Sequence, residues 1–243
     1  MQSAQELPSY TPGKLRMTEV FYSLQGEGSQ VGLPTVFVRL TGCSLRCSWC
    51  DTAYSFYGGA DRSIDDVVAD AERFPVRRAC VTGGEPLDQK AECEELVRRL
   101  LSRGFDVVVE TSGAIDVRGL DALEPRDKLQ ISMDVKCPSS NMQGRNLASN
   151  LRVLRPNDQL KFVIADDADY AYAKDVLATR TSEIRCPVLF DPMWTPPPDH
   201  PKGLRVTRPV DLRWVAERVL ADGLDVRVGT QLHKVIWGNE RAR

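Results

Sequence analysis

Cys43, Cys47 and Cys50 fall within eight residues, in the stretch TGCSLRCSWCDT. The spacing is C-x3-C-x2-C. Thiolates this close together serve metals, because the deprotonated sulfur is the ligand and a metal lowers its pKa. A structural zinc site takes four ligands. Its fourth would have to come from Cys80, Cys93, Cys137, Cys186, His200 or His233, none of which stands in a second C-x2-C or H-x3-H pair. An iron–sulfur cluster is also held by thiolates, normally four of them. Three thiolates on a four-iron cube leave one iron open, and an open metal position is what a catalytic site keeps. The neighbours suit that chemistry. Gly42 permits a close backbone approach, and Trp49 is placed to shield a cluster edge from water, which tunes the potential.

Further polar residues gather in short stretches, each after an apolar run: QGEG at 25–28, TGGEP at 82–86, ETSG at 110–113, SMDVK at 132–136 and DPM at 191–193. In TGGEP, two glycines let the backbone approach a ligand, and Glu85 can offset an ammonium charge. By itself this is an ordinary strand-to-helix turn, and Asp134 and Lys136 read as a solvated strand end. Arg39 offers a fork suited to a carboxylate, or is a plain strand-edge charge. His233, one of two histidines, fits a site or a satisfied structural role equally well. Cys80, Cys93 and Cys186 read as small core residues.

The elements that must position these residues follow from periodicity. Apolar runs at 18–24, 34–42, 78–82, 105–111, 129–136, 159–165 and 187–191 predict strands. Helical patterns cover 63–74 with Ser63 as N-cap, 92–103 ending at Gly104, 146–154, 167–178 and 209–221 with Pro209 in the first turn. A last strand at 225–230 leads into QLHKVIW. Such alternation, with continuously apolar strands, predicts a parallel sheet covered by helices. The polar stretches then fall at the C-terminal ends of the strands, where α/β folds build their sites.

The bulk composition sets bounds. Hydrophobic residues make up 42% and charged residues 27%, as in a globular domain. Thirty-two basic residues against 34 acidic ones give a net charge of −2, which argues against nucleic-acid and membrane partners. No apolar run approaches the roughly 20 residues of a membrane helix. An odd number of cysteines, seven, does not look like a secreted disulfide framework and points to the cytoplasm. Residues 1–16 read as a flexible tail without signal-peptide character, and 17–243 as a single domain. The Pro-rich stretch at 191–203 reads as a surface connection.

C-x3-C-x2-C with an aromatic before the last cysteine, followed one strand–helix unit later by TGGEP, resembles the radical S-adenosylmethionine (SAM) enzymes. YSLQGEG (22–28), FVRLTGC (37–43), WCDT (49–52), ETSG, SMDVK and QLHK (231–234) resemble, more narrowly, the 7-carboxy-7-deazaguanine synthase family of the queuosine/deazapurine pathway. The similarity runs from residue 18 to 237. It implies an incomplete (β/α)6 TIM-like barrel of parallel strands. It implies a [4Fe–4S] cluster on Cys43, Cys47 and Cys50, and Mg2+ on Thr52. SAM would be held by Gly84, Glu85, Ser132, Asp134 and Lys136, by backbone around Trp49 and Asp51, and by Asp191, Pro192 and Met193. The implied substrate, 6-carboxy-5,6,7,8-tetrahydropterin, would meet Leu24, Gln25, Gly26, Glu27, Arg39, Thr82, Glu110 and His233. The implied lyase reaction begins with reductive cleavage of SAM to a 5′-deoxyadenosyl radical, which abstracts hydrogen from C6 of the pterin. The ring contracts, ammonia leaves and SAM is regenerated. A flavodoxin- or ferredoxin-type electron donor and a homodimer are implied with it. A glycyl-radical-enzyme activase would share the cysteine motif without needing SLQGEG or Arg39. A zinc-binding interaction domain is the alternative outside enzymes.

Overall fold

The structure is a computed structural model and describes residues 7–194 and 210–242. The strands are β1 (Lys14–Leu24), β2 (Pro34–Leu40), β3 (Ala60–Ser63), β4 (Arg78–Gly83), β5 (Asp106–Thr111), β6 (Leu129–Val135), β7 (Gln159–Ile164), β8 (Val188–Pro192) and β9 (Arg227–Val228). They form one open sheet in the order β3-β1-β2-β4-β5-β6-β7-β8-β9. From β2 to β9 all neighbours are parallel. β1 is antiparallel to both β2 and β3, a departure from the all-parallel series expected. The reason is chain length. Only residues 25–33 join β1 to β2, and a parallel crossover needs about a dozen residues or more.

The helices are α1 (Ile64–Glu72), α2 (Lys90–Ser102), α3 (Arg118–Asp121), α4 (Asp167–Arg180), α5 (Leu212–Asp222) and α6 (Leu232–Trp237). Ser63 caps α1, its hydroxyl accepting from Asp66 N at 3.1 Å. Gly104, at φ +80°, stands just beyond α2, where a left-handed residue costs glycine little. Leu96, Val97, Leu100 and Leu101 are buried as the helical pattern predicts. α5 starts later than expected, capped by Asp211. Pro209 lies outside the described residues, as do His200 and most of the Pro-rich stretch.

Segment 146–154 forms only a 3-10 turn over Ala148–Arg152 instead of a helix. Its asparagines bond backbone groups elsewhere: Asn146 exchanges hydrogen bonds with Lys136 N and O, and Asn150 donates to Gly113 O and Ile115 O. Such side chains compete with helical bonding. The presumed N-terminal tail also differs. β1 begins at Lys14, because Lys14–Met17 pair with the short edge strand β3 and Leu15 and Met17 are buried.

Alternation along the strands sorts the residues into two faces. Outward residues such as Val36, Val81, Val109, Ile131, Phe162 and Phe190 join Val67, Leu96, Leu100, Tyr170 and Val215 in the main core. Inward, Phe37, Cys80 and Val108 pack with Phe21 as a small apolar layer. Phe21 and Phe37 stack with ring centroids 4.9 Å apart. No helix of the described residues is long and apolar enough to cross a membrane.

Candidate active site

The inward parity brings one polar side chain from each of six consecutive parallel strands to a single cavity: Arg39, Thr82, Glu110, Asp134, Lys161 and Asp191, on β2, β4, β5, β6, β7 and β8. The strand register aligns Arg39 with Thr82 and Asp134 with Lys161. A charged side chain recessed in a cavity loses much of its hydration, so most of these residues are held by partners. Thr82 Oγ1 donates to Glu110 Oε2 at 2.8 Å. Lys136 Nζ pairs with Asp134 Oδ2 at 2.6 Å, and Lys161 Nζ with Asp134 Oδ1 at 3.3 Å and with Glu27. Arg39 Nε holds Glu19 Oε1 at 2.9 Å.

The cysteine loop forms one wall. Cys43, Cys47 and Cys50 all line the cavity beside Trp49 and Gly84. Burial pushes the Cys43 thiol up to about 12 and Cys50 up to about 11. Gly84 is held against this loop: an added Cβ would stand 2.1 Å from Gly42 O and 2.7 Å from Cys43 Cβ, and Glu85 N donates to Gly42 O at 2.9 Å. The second glycine of TGGEP is therefore required by close approach. Cys93, Cys137 and Cys186 sit in the helix-side core, and Cys80 in the inner apolar layer. None of the seven cysteines is in a disulfide.

The QGEG loop is not on the C-terminal edge with the other polar stretches. Because β1 is antiparallel, its end lies beside Pro34 at the start of β2. The loop then runs beneath the sheet: Ser29 N donates to Gln159 Oε1 at 3.0 Å, and Ser29 Oγ bonds Gln130. It makes the floor of the cavity. Gln25 Nε2 reaches Glu110 at 3.4 Å and Gln231 Nε2 donates to Glu27 Oε1 at 2.6 Å. From α6, His233 packs on Gly26, where a Cβ would lie 1.8 Å from Nδ1, and Lys234 pairs with Asp51. The sequence reading places His233 after a strand, but it stands on a short helix.

Burial raises the Glu27 carboxyl, but Lys161 and Gln231 outweigh it and hold it below its usual range. Burial likewise opposes Lys234 at Asp51, which is nonetheless held at about 2. Glu110 is raised by burial and by the Glu27 charge. Burial lowers His233 and keeps the ring neutral near pH 7. Asp191 is raised as well. It is 3% exposed, neither carboxylate oxygen has a hydrogen-bond partner among the described residues, and burial and Glu27 push it up to about 7. A raised acid makes the folded state bear a charging penalty that begins above the unfolded pKa near 4 and is complete above about pH 7. Asp191→Asn is therefore expected to raise the melting temperature of the SAM-free protein at pH 8 and leave it unchanged at pH 4. Equal shifts at both pH values would refute this.

Comparisons with known proteins bear on what the cavity serves. A sequence profile of the Radical SAM superfamily matches residues 37–162, more than half the chain. A protein from Koribacter versatilis named 7-carboxy-7-deazaguanine synthase is 41% identical over 233 residues, covering 93% of this chain and 98% of its own. One of the same name from Thermoplasma acidophilum is 37% identical over 223 residues, covering 92% and 97%.

The chain belongs to the 7-carboxy-7-deazaguanine synthase family of radical SAM proteins. A crystal structure of QueE from Escherichia coli shares the fold at a TM-score of 0.65 and 24% identity, over 90% of this chain and 95% of that one. The open, mostly parallel sheet is accordingly the partial barrel that the sequence predicts. Membership brings SAM and a [4Fe–4S] cluster as cofactors, and sets aside the activase and zinc readings.

For a radical SAM chain of this family, most of the predicted positions meet at the cavity. Leu24, Gln25, Gly26, Glu27, Arg39, Trp49, Asp51, Thr52, Thr82, Gly84, Glu110, Asp134, Lys136, Asp191, Pro192, Met193 and His233 line it with the three cysteines. Two positions do not. Glu85 is fully buried outside the cavity, its carboxylate accepting from Thr111 Oγ1, Leu87 N and both Ser112 N and Oγ. It ties the TGGEP turn to the ETSG turn. Ser132 faces inward one step deeper than Asp134, below the floor loop, and accepts from Gln159 Nε2 at 2.8 Å. Sequence reasoning missed Lys161, Gln231, Thr111 and Ser112, which line the cavity. Lys161 had a signal, as the one charge in the run QLKFVIA, at the inward parity.

Proposed function

We propose that the chain converts 6-carboxy-5,6,7,8-tetrahydropterin to 7-carboxy-7-deazaguanine, with loss of ammonia, in the cytoplasm. The observation that carries this reading is that three cysteines outside any disulfide, a glycine-lined wall and six inward polar residues share one cavity. The donor set fits the cofactors. Cys43, Cys47 and Cys50 hold the cluster and no fourth cysteine accompanies them. Bound there, the cluster and SAM supply the one-electron chemistry that starts the reaction. Gly84, Asp134 and Lys136, with the Asp191–Met193 end of β8, hold SAM. Thr52 offers an oxygen to Mg2+, which keeps waters or substrate oxygens in its remaining positions.

The rest of the work is positioning. The Nη atoms of Arg39, which make no hydrogen bond among the described residues, take the substrate carboxylate as a fork. Glu110 and Glu27 accept from ring N–H groups. Neutral His233 adds a hydrogen bond without adding charge. Phe21, Phe37, Trp49 and Phe56 give the cavity apolar walls that keep water from reactive species. A flavodoxin- or ferredoxin-type protein delivers the electron, and the enzyme acts as a homodimer.

Anaerobically reconstituted protein, given the carboxypterin, SAM, Mg2+ and a reductant, is expected to form the deazaguanine acid, read by mass spectrometry. No product from protein that does cleave SAM would sink the substrate assignment. Arg39→Ala is expected to lower substrate turnover at least 10²-fold, as misplacement of a positioned substrate does. Substrate-independent SAM cleavage should fall far less; equal losses would make Arg39 a structural partner of Glu19.

A further inference from the structure

Arg39 does not stand alone at the cavity wall. Behind it lie Glu19, Tyr54 and Arg241, none of which lines the cavity. Glu19 Oε1 accepts from Arg39 Nε at 2.9 Å and from the Tyr54 hydroxyl at 3.0 Å. Glu19 Oε2 accepts from Arg241 Nε at 3.2 Å. Both oxygens of Glu19 are thus engaged, and two arginines share one carboxylate.

Glu19 reaches this place through an irregularity in β1. Met17 pairs with Leu40, and Glu19, two residues on, pairs with Arg39, only one residue back. Thr18 is the extra residue of a bulge, its hydroxyl bonded to that of Thr41 at 2.7 Å. In a regular strand Met17 and Glu19 would share a face. Met17 lies in the helix-side core, so a regular β1 would send Glu19 there as well. The bulge turns it to the inward face instead, in the row where Phe21 opposes Phe37.

Arg241 comes from the segment after α6. Trp194 Nε1 donates to Asn239 Oδ1 at 3.1 Å, and the Arg241 guanidinium lies 4.3 Å from the centre of the Tyr54 ring. Its charge matters to what Arg39 can bind. A lone Arg39–Glu19 pair is neutral and holds an anion weakly. With Arg241 on the same carboxylate, one positive charge is in excess.

We propose that Glu19 and Arg241 are positioning residues that set the preference for a carboxylated pterin. Glu19 fixes Arg39 by its Nε, which leaves the end-on pair of Nη atoms for the substrate carboxylate. Arg241 balances the Glu19 charge, so Arg39 keeps its own for the substrate. The inference rests on the substrate reading above and deepens it.

The test measures KM and kcat for the carboxypterin in reconstituted enzyme bearing Arg241→Gln, Glu19→Gln or both. Arg241→Gln is expected to raise KM about three- to fivefold, the scale of a partly exposed ion pair, with a smaller change in kcat. In the Glu19→Gln background the same change should move KM by less than about 1.5-fold, because no carboxylate charge is left to balance. Glu19→Ala, which releases Arg39, should raise KM about tenfold or more, the scale of a lost charged hydrogen bond. Inhibition by tetrahydropterin, which lacks the carboxylate, should weaken in none of them. Equal weakening of both pterins, or equal effects of Arg241→Gln in the two backgrounds, would overturn the inference and leave the substrate reading standing. Wild-type protein that cleaves SAM but forms no deazaguanine acid would overturn that reading, and the inference with it. If the Glu19 variants fail to fold, Arg241→Gln decides, since that side chain is 56% exposed. A loss confined to the carboxylated pterin then supports the inference, and an unchanged KM overturns it.

Discussion

Cys47→Ala protein is expected to fold, to hold no intact cluster and to lose SAM cleavage altogether. Cys47 is 8% exposed and packs with Cys43, Leu45 and Phe56 in a small cluster separate from the main core. Trimming one sulfur there costs on the order of 1 kcal/mol, which a chain with the large helix-side core tolerates. The chemical cost is different in kind. With three thiolates for four irons there is no spare ligand, so the loss should be complete. Cys93→Ala is the matched control. Cys93 is fully buried in the helix-side core, loses similar packing and should keep its activity. Iron content and 5′-deoxyadenosine release measure both. Cleavage at the wild-type rate by Cys47→Ala would remove that residue from the cluster.

The second large effect is on stability. Lys161→Met is expected to destabilise the protein by about 3–5 kcal/mol at neutral pH, the usual cost of stranding buried charges. Lys161 faces Glu27 and Asp134 directly, with Glu110 and Asp191 close enough for their charges to act on it. Burial pushes the Glu27 and Asp134 carboxyls up. Lys161, joined by Lys136 at Asp134, outweighs it and holds both below the ordinary range. Carboxyls depressed in this way stabilise the fold above their unfolded pKa, near 4, and that contribution is lost as pH falls through the folded value. The gap between wild type and variant should therefore be full at pH 7 and shrink below about pH 4. Urea melts at the two pH values measure it. A gap under 1 kcal/mol at pH 7, or one that does not narrow in acid, would refute this account.

The cysteine loop, the glycine turn and the strand ends were legible because their information is local. A C-x3-C-x2-C spacing, a glycine pair after a strand and an apolar run each declare themselves within ten residues. What escaped was information held by partners far along the chain. Glu85 is attractive as a ligand group until Thr111 and Ser112, at the end of the next strand and just past it, take its carboxylate. Ser132 has the right parity but the wrong depth, which only the floor loop from the other end of the sheet defines. The antiparallel course of β1 turns on the brevity of 25–33, and that brevity was available to a reader who counted. Asn146 and Asn150 betray the absent helix only once Lys136 and Gly113 are beside them.

The floor of the cavity has a consequence for how the protein is made. Glu27 meets Gln231 across 204 positions, and Asp51 meets Lys234 across 183. Such distant closures are slow to find. A ribosome that has released β1, the cysteine loop and most of the sheet has still not delivered the cation for Asp51 or the ring that covers Gly26. The nascent sheet can pack while its cavity stays unfinished. The pocket that would shelter a reactive radical is thus sealed by residues that emerge 183 and 204 positions after the ones they meet, so a partly synthesised chain cannot enclose the chemistry it has already begun to build.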